Sequence, residues 1–178
     1  MALGLGLSLK NKGSVTGPSP TALYQVTPSN WNFTASSMSG NTFTESNIGT
    51  STHQFVVDIN TDSTWYIYNS VSTPASVTGT TRVNFTFTIN ITDNDGGIKM
   101  YLADSSSTNV AWNHSSVTSF KLFDNGVTTS GFETFSIDVS GTDIATSNDY
   151  IVIRDDSTSG LDNADFTMKD MTLTYYDF

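Results

Sequence analysis

Residues 82 to 92 read RVNFTFTINIT, and this run constrains the chain more than any other. Val83, Phe85, Phe87, Ile89 and Ile91 alternate with Asn84, Thr86, Thr88, Asn90 and Thr92. A strict period of two puts one set on a buried face and the other on a wet face, which a strand can do and a helix cannot. Further runs follow the same rule: HQFVVDI (53–59), TWYIYN (64–69), GIKMYLA (97–103), SFKLFD (119–124), GFETFSIDV (131–139) and DYIVIRD (149–155). TALYQV, NWNFT and GNTFTES are shorter candidates. In DFTMKDMTLTYYDF (165–178), Phe166 and Met168 share one phase whereas Met171, Leu173 and Tyr175 share the other, so a β-bulge is expected near Lys169 and Asp170. The turn sequences DNDGG (93–97) and DNG (124–126) have hairpin chemistry. No run has a helical apolar period. About ten strands at regular spacing predict an all-β fold, an antiparallel two-sheet β-sandwich of jelly-roll type.

Charge divides the chain in two. Its 178 residues hold 17 acids and 7 bases, yet the first 44 residues contain no Asp or Glu and carry Lys10 and Lys12. The remainder holds all 17 acids against five bases, a net of −12. Such a body disfavours nucleic acid and anionic lipid. With no Cys there is no disulfide and no thiolate metal site. No apolar run approaches the ~18 residues that would cross a membrane.

The head segment opens MALGLGLSLKNK. Leu3, Leu5, Leu7 and Leu9 would line one face of an extended strand, with Ala2, Gly4, Gly6 and Ser8 on the other. A secretion leader carries its positive charge before the apolar region, whereas here the lysines follow it. Myristoylation needs Gly at position 2, which is Ala. The expected organisation is an extended N-terminal docking peptide (1–12), a Gly/Ser/Pro linker (13–22) with Pro18 and Pro20, and a sandwich (23–178). Docking by strand addition would seat the four leucines in a partner's pockets, each worth about 1.5–3 kcal/mol when buried.

Candidate sites are few. In TWYIYN, Trp65 and Ile67 share one face and Tyr66 and Tyr68 the other. The Ile-bearing face suits the core, which leaves Tyr66 and Tyr68 outward as platforms for sugar rings, with Trp112 in the loop NVAWNHSS as a third. Trp31 is a weaker aromatic candidate; a core or interface role competes for all of them. Asp155, Asp156, Asp162 and Asp165 cluster hard oxygens around RDDSTSGLDNAD and are candidate calcium ligands, against ordinary polar turn chemistry. No cofactor is otherwise required. His53 and His114 are the only histidines. Neither sits in a catalytic or metal motif, and His53 reads as an outward residue heading a strand. No nucleophile elbow or phosphate loop is present, so the expectation is a binding protein rather than an enzyme.

The body resembles the jelly-roll carbohydrate-binding modules associated with xylanases. The resemblance is carried by NWNFTASSMSGNTFTE, TTRVNFTFTINITDNDGGIKMYL, SGFETFSIDV, DYIVIRDD and LDNADFTMKDMTLTYY, spanning residues 28 to 176. It implies a sandwich, a polysaccharide ligand on exposed aromatics and a structural calcium. MALGLGLSL followed by its linker resembles the start of small virion proteins of tailed bacteriophages, of the capsid-decoration or head-fibre type. That likeness implies a structural protein on the virion, docked through the arm on a capsid or tail protein and assembled as a homo-oligomer, trimeric by analogy. Surface polysaccharide adhesion is compatible with it, and a free glycan-recognition module or tail-fibre domain is the alternative. No nucleic-acid partner and no membrane insertion are expected.

Overall fold

A computed structural model of the chain describes residues 21–36, 40–60, 65–71, 82–103, 118–140, 149–155 and 163–177. Among the described residues there are eleven strands: β1 (Thr21–Val26), β2 (Thr34–Ser36), β3 (Thr42–Ser46), β4 (Gln54–Ile59), β5 (Tyr66–Val71), β6 (Arg82–Asn94), β7 (Ile98–Ala103), β8 (Thr118–Phe123), β9 (Glu133–Ser140), β10 (Asp149–Asp155) and β11 (Ala164–Asp177). A 3-10 turn (Pro28–Asn30) precedes Trp31. The strands form two antiparallel sheets. The first has the order β3-β4-β11-β6-β9, with β1 also on β11; the second has the order β2-β5-β10-β7-β8. This is the two-sheet β-sandwich expected from the alternation, with consecutive strands repeatedly changing sheet as in a jelly roll.

Period two decides which side chains meet between the sheets. Val83, Phe85, Phe87, Ile89 and Ile91 of β6 are fully buried, as are Phe55, Val57 and Ile59 of β4 within a percent, and Trp65 and Ile67 beside β10's Ile151 and Ile153. Aromatic rings bridge the two layers. Trp65 lies 5.8 Å from Phe166 of β11, and Phe123 of β8 stands edge-on to Phe135 of β9 at 5.2 Å. Trp31 is 1% exposed, stacked on Phe33 at 5.5 Å.

The bulge in β11 occurs where the phase slips. Lys169 pairs with Thr88 and Thr172 with Thr86, so Asp170 and Met171 stand together opposite Phe87. Asp170 adopts φ +54°, the left-handed geometry a bulge needs and Asp tolerates. Trp31 exploits the disturbed ladder by donating its Nε1–H to the Met171 carbonyl at 2.6 Å. The same bulge lets β11 bury Phe166 and Met168 on one side of it and Met171, Leu173 and Tyr175 on the other.

Two sequence expectations are corrected. DNDGG and DNG do not close hairpins: β6 and β9 belong to the first sheet, β7 and β8 to the second. Both turns are crossovers at one end of the sandwich, and buried Asn94 joins them. Its Nδ2 donates to the Asp124 carbonyl (2.8 Å) and the Val127 carbonyl (3.2 Å), while its Oδ1 accepts from Gly97 N–H (2.8 Å). The local glycine geometry, φ +88° at Gly97 and +80° at Gly126, is the same positive-φ chemistry a hairpin uses; long-range sheet membership makes the difference.

His53 is likewise not an outward residue. It is 0% exposed, with Nε2 2.9 Å from Glu45 Oε1 and Nδ1 3.3 Å from the Pro28 carbonyl. Glu45 Oε1 also accepts from the Phe33 N–H at 3.0 Å. Buried polar groups must be paired, and this cluster pins the 3-10 turn and the start of β2 against β3 and β4.

Candidate functional site: the outer face of the second sheet

The second sheet turns one face to the core and the other outward. In β5, Trp65 and Ile67 are buried, so the alternate residues Tyr66 and Tyr68 lie on the outer face, half-buried. Their rings are 5.9 Å apart between centroids and within 19° of parallel. Two tyrosines two residues apart on one strand face are natural neighbours, and together they offer apolar ring surface with hydroxyl tips.

Register places their companions. Across β10, Tyr68 is opposite Val152 and Tyr66 opposite Arg154; across β7, Val152 is opposite Tyr101 and Arg154 opposite Lys99. Tyr150, between Ser70 and Ala103, occupies the next position of the same set. On the other side, β2 sets Thr34 opposite Tyr68 and Ser36 opposite Tyr66. Four of the chain's seven tyrosines therefore occupy this alternate set. Val152 and Arg154 are only 4% and 8% exposed although they lie on the outward phase, so the middle of the face is recessed. An open groove of about 580 Å³ runs between the edge strands β2 and β3, with Phe33, Phe43 and Thr34 among its walls.

The other aromatic candidates separate cleanly. Trp31 and Trp65 are core residues, and the bland reading of them holds. Trp112 lies outside the described residues, as do Leu3, Leu5, Leu7 and Leu9. The sequence did not single out Arg154 and Lys99, which become neighbours of Tyr66 only through the order β5-β10-β7.

Of the calcium candidates, Asp156 and Asp162 lie outside the described residues. Asp155 ends β10 in the second sheet and Asp165 begins β11 in the first. Among the described residues no group of three or more His, Asp or Glu side chains has the geometry to hold a metal ion. Asp165 instead sits in a row of like charge, opposite Asp58 on β4 and Asp93 on β6. Its Oδ1 is buried without a hydrogen-bond partner. Desolvation, followed by the charge of Asp58, pushes its carboxyl above the usual range. A raised carboxylate pKa means the folded state holds its proton more tightly than the unfolded state, so stability is lost as pH rises through that range. Asp165→Asn is expected to raise the thermal midpoint at pH 7, and the gain should vanish at pH values where both states are protonated. Thermal melts across pH 3–7 measure this directly; an unchanged or lowered midpoint at pH 7 would refute it.

No family model matches the chain, and no curated protein matches it. Solved structures do resemble it. A CBM4 carbohydrate-binding module shares 13% identity at TM-score 0.49, over 80% of this chain and 86% of that one. The CBM22-1–GH10 modules of Clostridium thermocellum endo-1,4-beta-D-xylanase 10B, complexed with xylohexaose, share 18% identity at TM-score 0.49, over 84% of this chain and 27% of that one. The enzymatically active domain of tailspike protein 4 from Bacteriophage CBA120 shares 12% identity at TM-score 0.49, over 83% and 20% respectively. These are likenesses of overall shape at low identity, and the site stands on this chain's own geometry.

Proposed function

We propose that the protein is a non-catalytic polysaccharide-binding module whose binding face is the outer surface of the second sheet. One observation carries the reading: the parallel Tyr66–Tyr68 pair on a recessed strand face. Sugar rings present C–H faces that stack on flat aromatics, and their hydroxyls suit the flanking Thr34 and Ser36 positions. His53 is committed to Glu45 and Pro28 in the interior, which removes one of the chain's two histidines from consideration as a surface catalyst. Affinity electrophoresis against a panel of bacterial and plant polysaccharides tests the reading; retardation by none of them would reject it.

A second reading concerns how the module is carried. The alternating leucines at 3, 5, 7 and 9 and the acid-free head favour an arm that docks on another virion protein and holds the sandwich outward. Removing residues 2–12 should leave a soluble β-rich protein by circular dichroism while abolishing co-sedimentation with the particle. Full occupancy on particles without those residues would eliminate the docking role.

A further inference from the structure

We infer that the alternating leucine segment, residues 3–9, lies along the chain's own β9 as an added edge strand, parallel to it. The inference goes beyond the readings above: it names where the arm rests when no partner holds it. It starts from β9, eight residues long, which among the described residues is hydrogen-bonded to β6 alone. The other edge strands, β1, β2, β3 and β8, have three to six residues. A long edge offers alternate N–H and C=O groups to any extended chain, and natural proteins rarely leave one open. Lys and Pro commonly blunt an edge, and β9 carries neither.

Two observations choose the occupant. The first is pattern. Phe135 and Ile137 stand opposite Phe87 and Phe85 of β6, on the inward phase. Their β6 partners are fully buried, whereas Phe135 and Ile137 are only partly so; the apolar layer thins at this edge. The leucines at 3, 5, 7 and 9 repeat at the same two-residue step, so a strand added to β9 sets them beside that row. Ala2, Gly4, Gly6 and Ser8 then face outward beside Thr134 and Ser136.

The second is reach. Thr21 pairs with Asp177, Tyr176 with Arg82, and Arg82 with Ser140. The start of β1 and the end of β9 are therefore level, three strand spacings or about 14 Å apart. Residues 10 to 20 number eleven and span up to about 36 Å when extended. With Leu9 at the Ser140 end, Leu3 falls at the Glu133 end. The β3 edge is not level with Thr21: Ser46 is opposite Gln54, and Gln54 opposite Lys169, about 26 Å down β11 from Asp177. A short tether holds its segment at an effective concentration in the millimolar range, which favours the chain's own edge over another molecule's. Seating there also takes four leucines off the surface, and Lys10 and Lys12, next after Leu9, meet an acidic body.

Amide hydrogen exchange on the full chain tests the seat. The β9 amides that point away from β6 should exchange at least about tenfold more slowly in the full chain than after removal of residues 2–12. Leu5→Asp combined with Leu7→Asp keeps the chain length and should release the same amides, while β6 stays protected as in the parent. Joining Leu9 directly to Thr21 removes the span and should release them too. Equal protection of β9 in the full chain and in a folded Leu5→Asp/Leu7→Asp variant would overturn the inference. Protection that survives in the joined variant, or that rises with protein concentration, would overturn it in favour of a strand supplied by a second copy.

Discussion

Replacing Tyr66 and Tyr68 together by alanine is expected to lower polysaccharide affinity by at least about a hundredfold, ~2.8 kcal/mol, while the sandwich stays folded. Aromatic anchors in recessed sites carry a large share of binding energy, and here the two rings form a single parallel unit. Both side chains lie on the outward phase of β5, away from Trp65 and Ile67, which are fully buried, so the fold should lose only about 1 kcal/mol. Single replacements should each lose part of the effect, and Tyr→Phe at either position less than Tyr→Ala, because ring area is retained. Isothermal titration with the tightest polymer of the panel, paired with a thermal melt, separates lost binding from lost structure. Affinity unchanged in a folded double variant would place the binding face elsewhere.

The largest effect on stability is expected from Trp31→Ala, about 3–5 kcal/mol for the cavity alone. The Met171 carbonyl would also lose its indole donor, and an unpaired buried carbonyl costs about 1–3 kcal/mol more. For a chain of this size that is a fall in melting temperature on the order of 10 °C or more. Trp31→Phe isolates the second contribution, since it keeps most of the ring contact with Phe33 and Phe85 but has no N–H to give the bulge. A melt of Trp31→Phe indistinguishable from the parent would show that the hydrogen bond to Met171 contributes nothing.

Much of this fold was legible before any coordinates. The five alternating apolar residues of β6 placed its inner face, and Ile67 sharing a phase with Trp65 put Tyr66 and Tyr68 outside. The phase slip between Met168 and Met171 located the bulge within one residue of Asp170. Each of these is local, and a strand's period of two is strong enough to report it. What escaped was long-range. Nothing in DNDGG tells whether the next strand returns to β6 or crosses to the other sheet; Asn94, Asp124 and Val127 settle that from thirty residues apart. His53 did carry a signal, because it lies in phase with Phe55, Val57 and Ile59, but its partner Glu45 belongs to another strand. For the site, Tyr66 and Tyr68 were readable from one hexapeptide. The neighbouring Arg154 and Lys99 were not, since their adjacency to Tyr66 exists only once β5, β10 and β7 are laid side by side.

Thr21 and Asp177 are register partners at the end of the β1–β11 pair. Whatever chain leads into β1 and whatever leaves β11 therefore depart from the same corner of the sandwich. Were the head segment to dock on another virion protein as proposed, the body would be held from that one corner, and the angle of attachment there would decide which way the tyrosine face looks. A tether pulled along the strand axis would load the β1–β11 register pairs in parallel, so the attachment should resist traction in shear far better than when peeled sideways. A load taken up on the tyrosine face of the second sheet reaches a tether at β1, in the first sheet, only through the packed interior between the two layers.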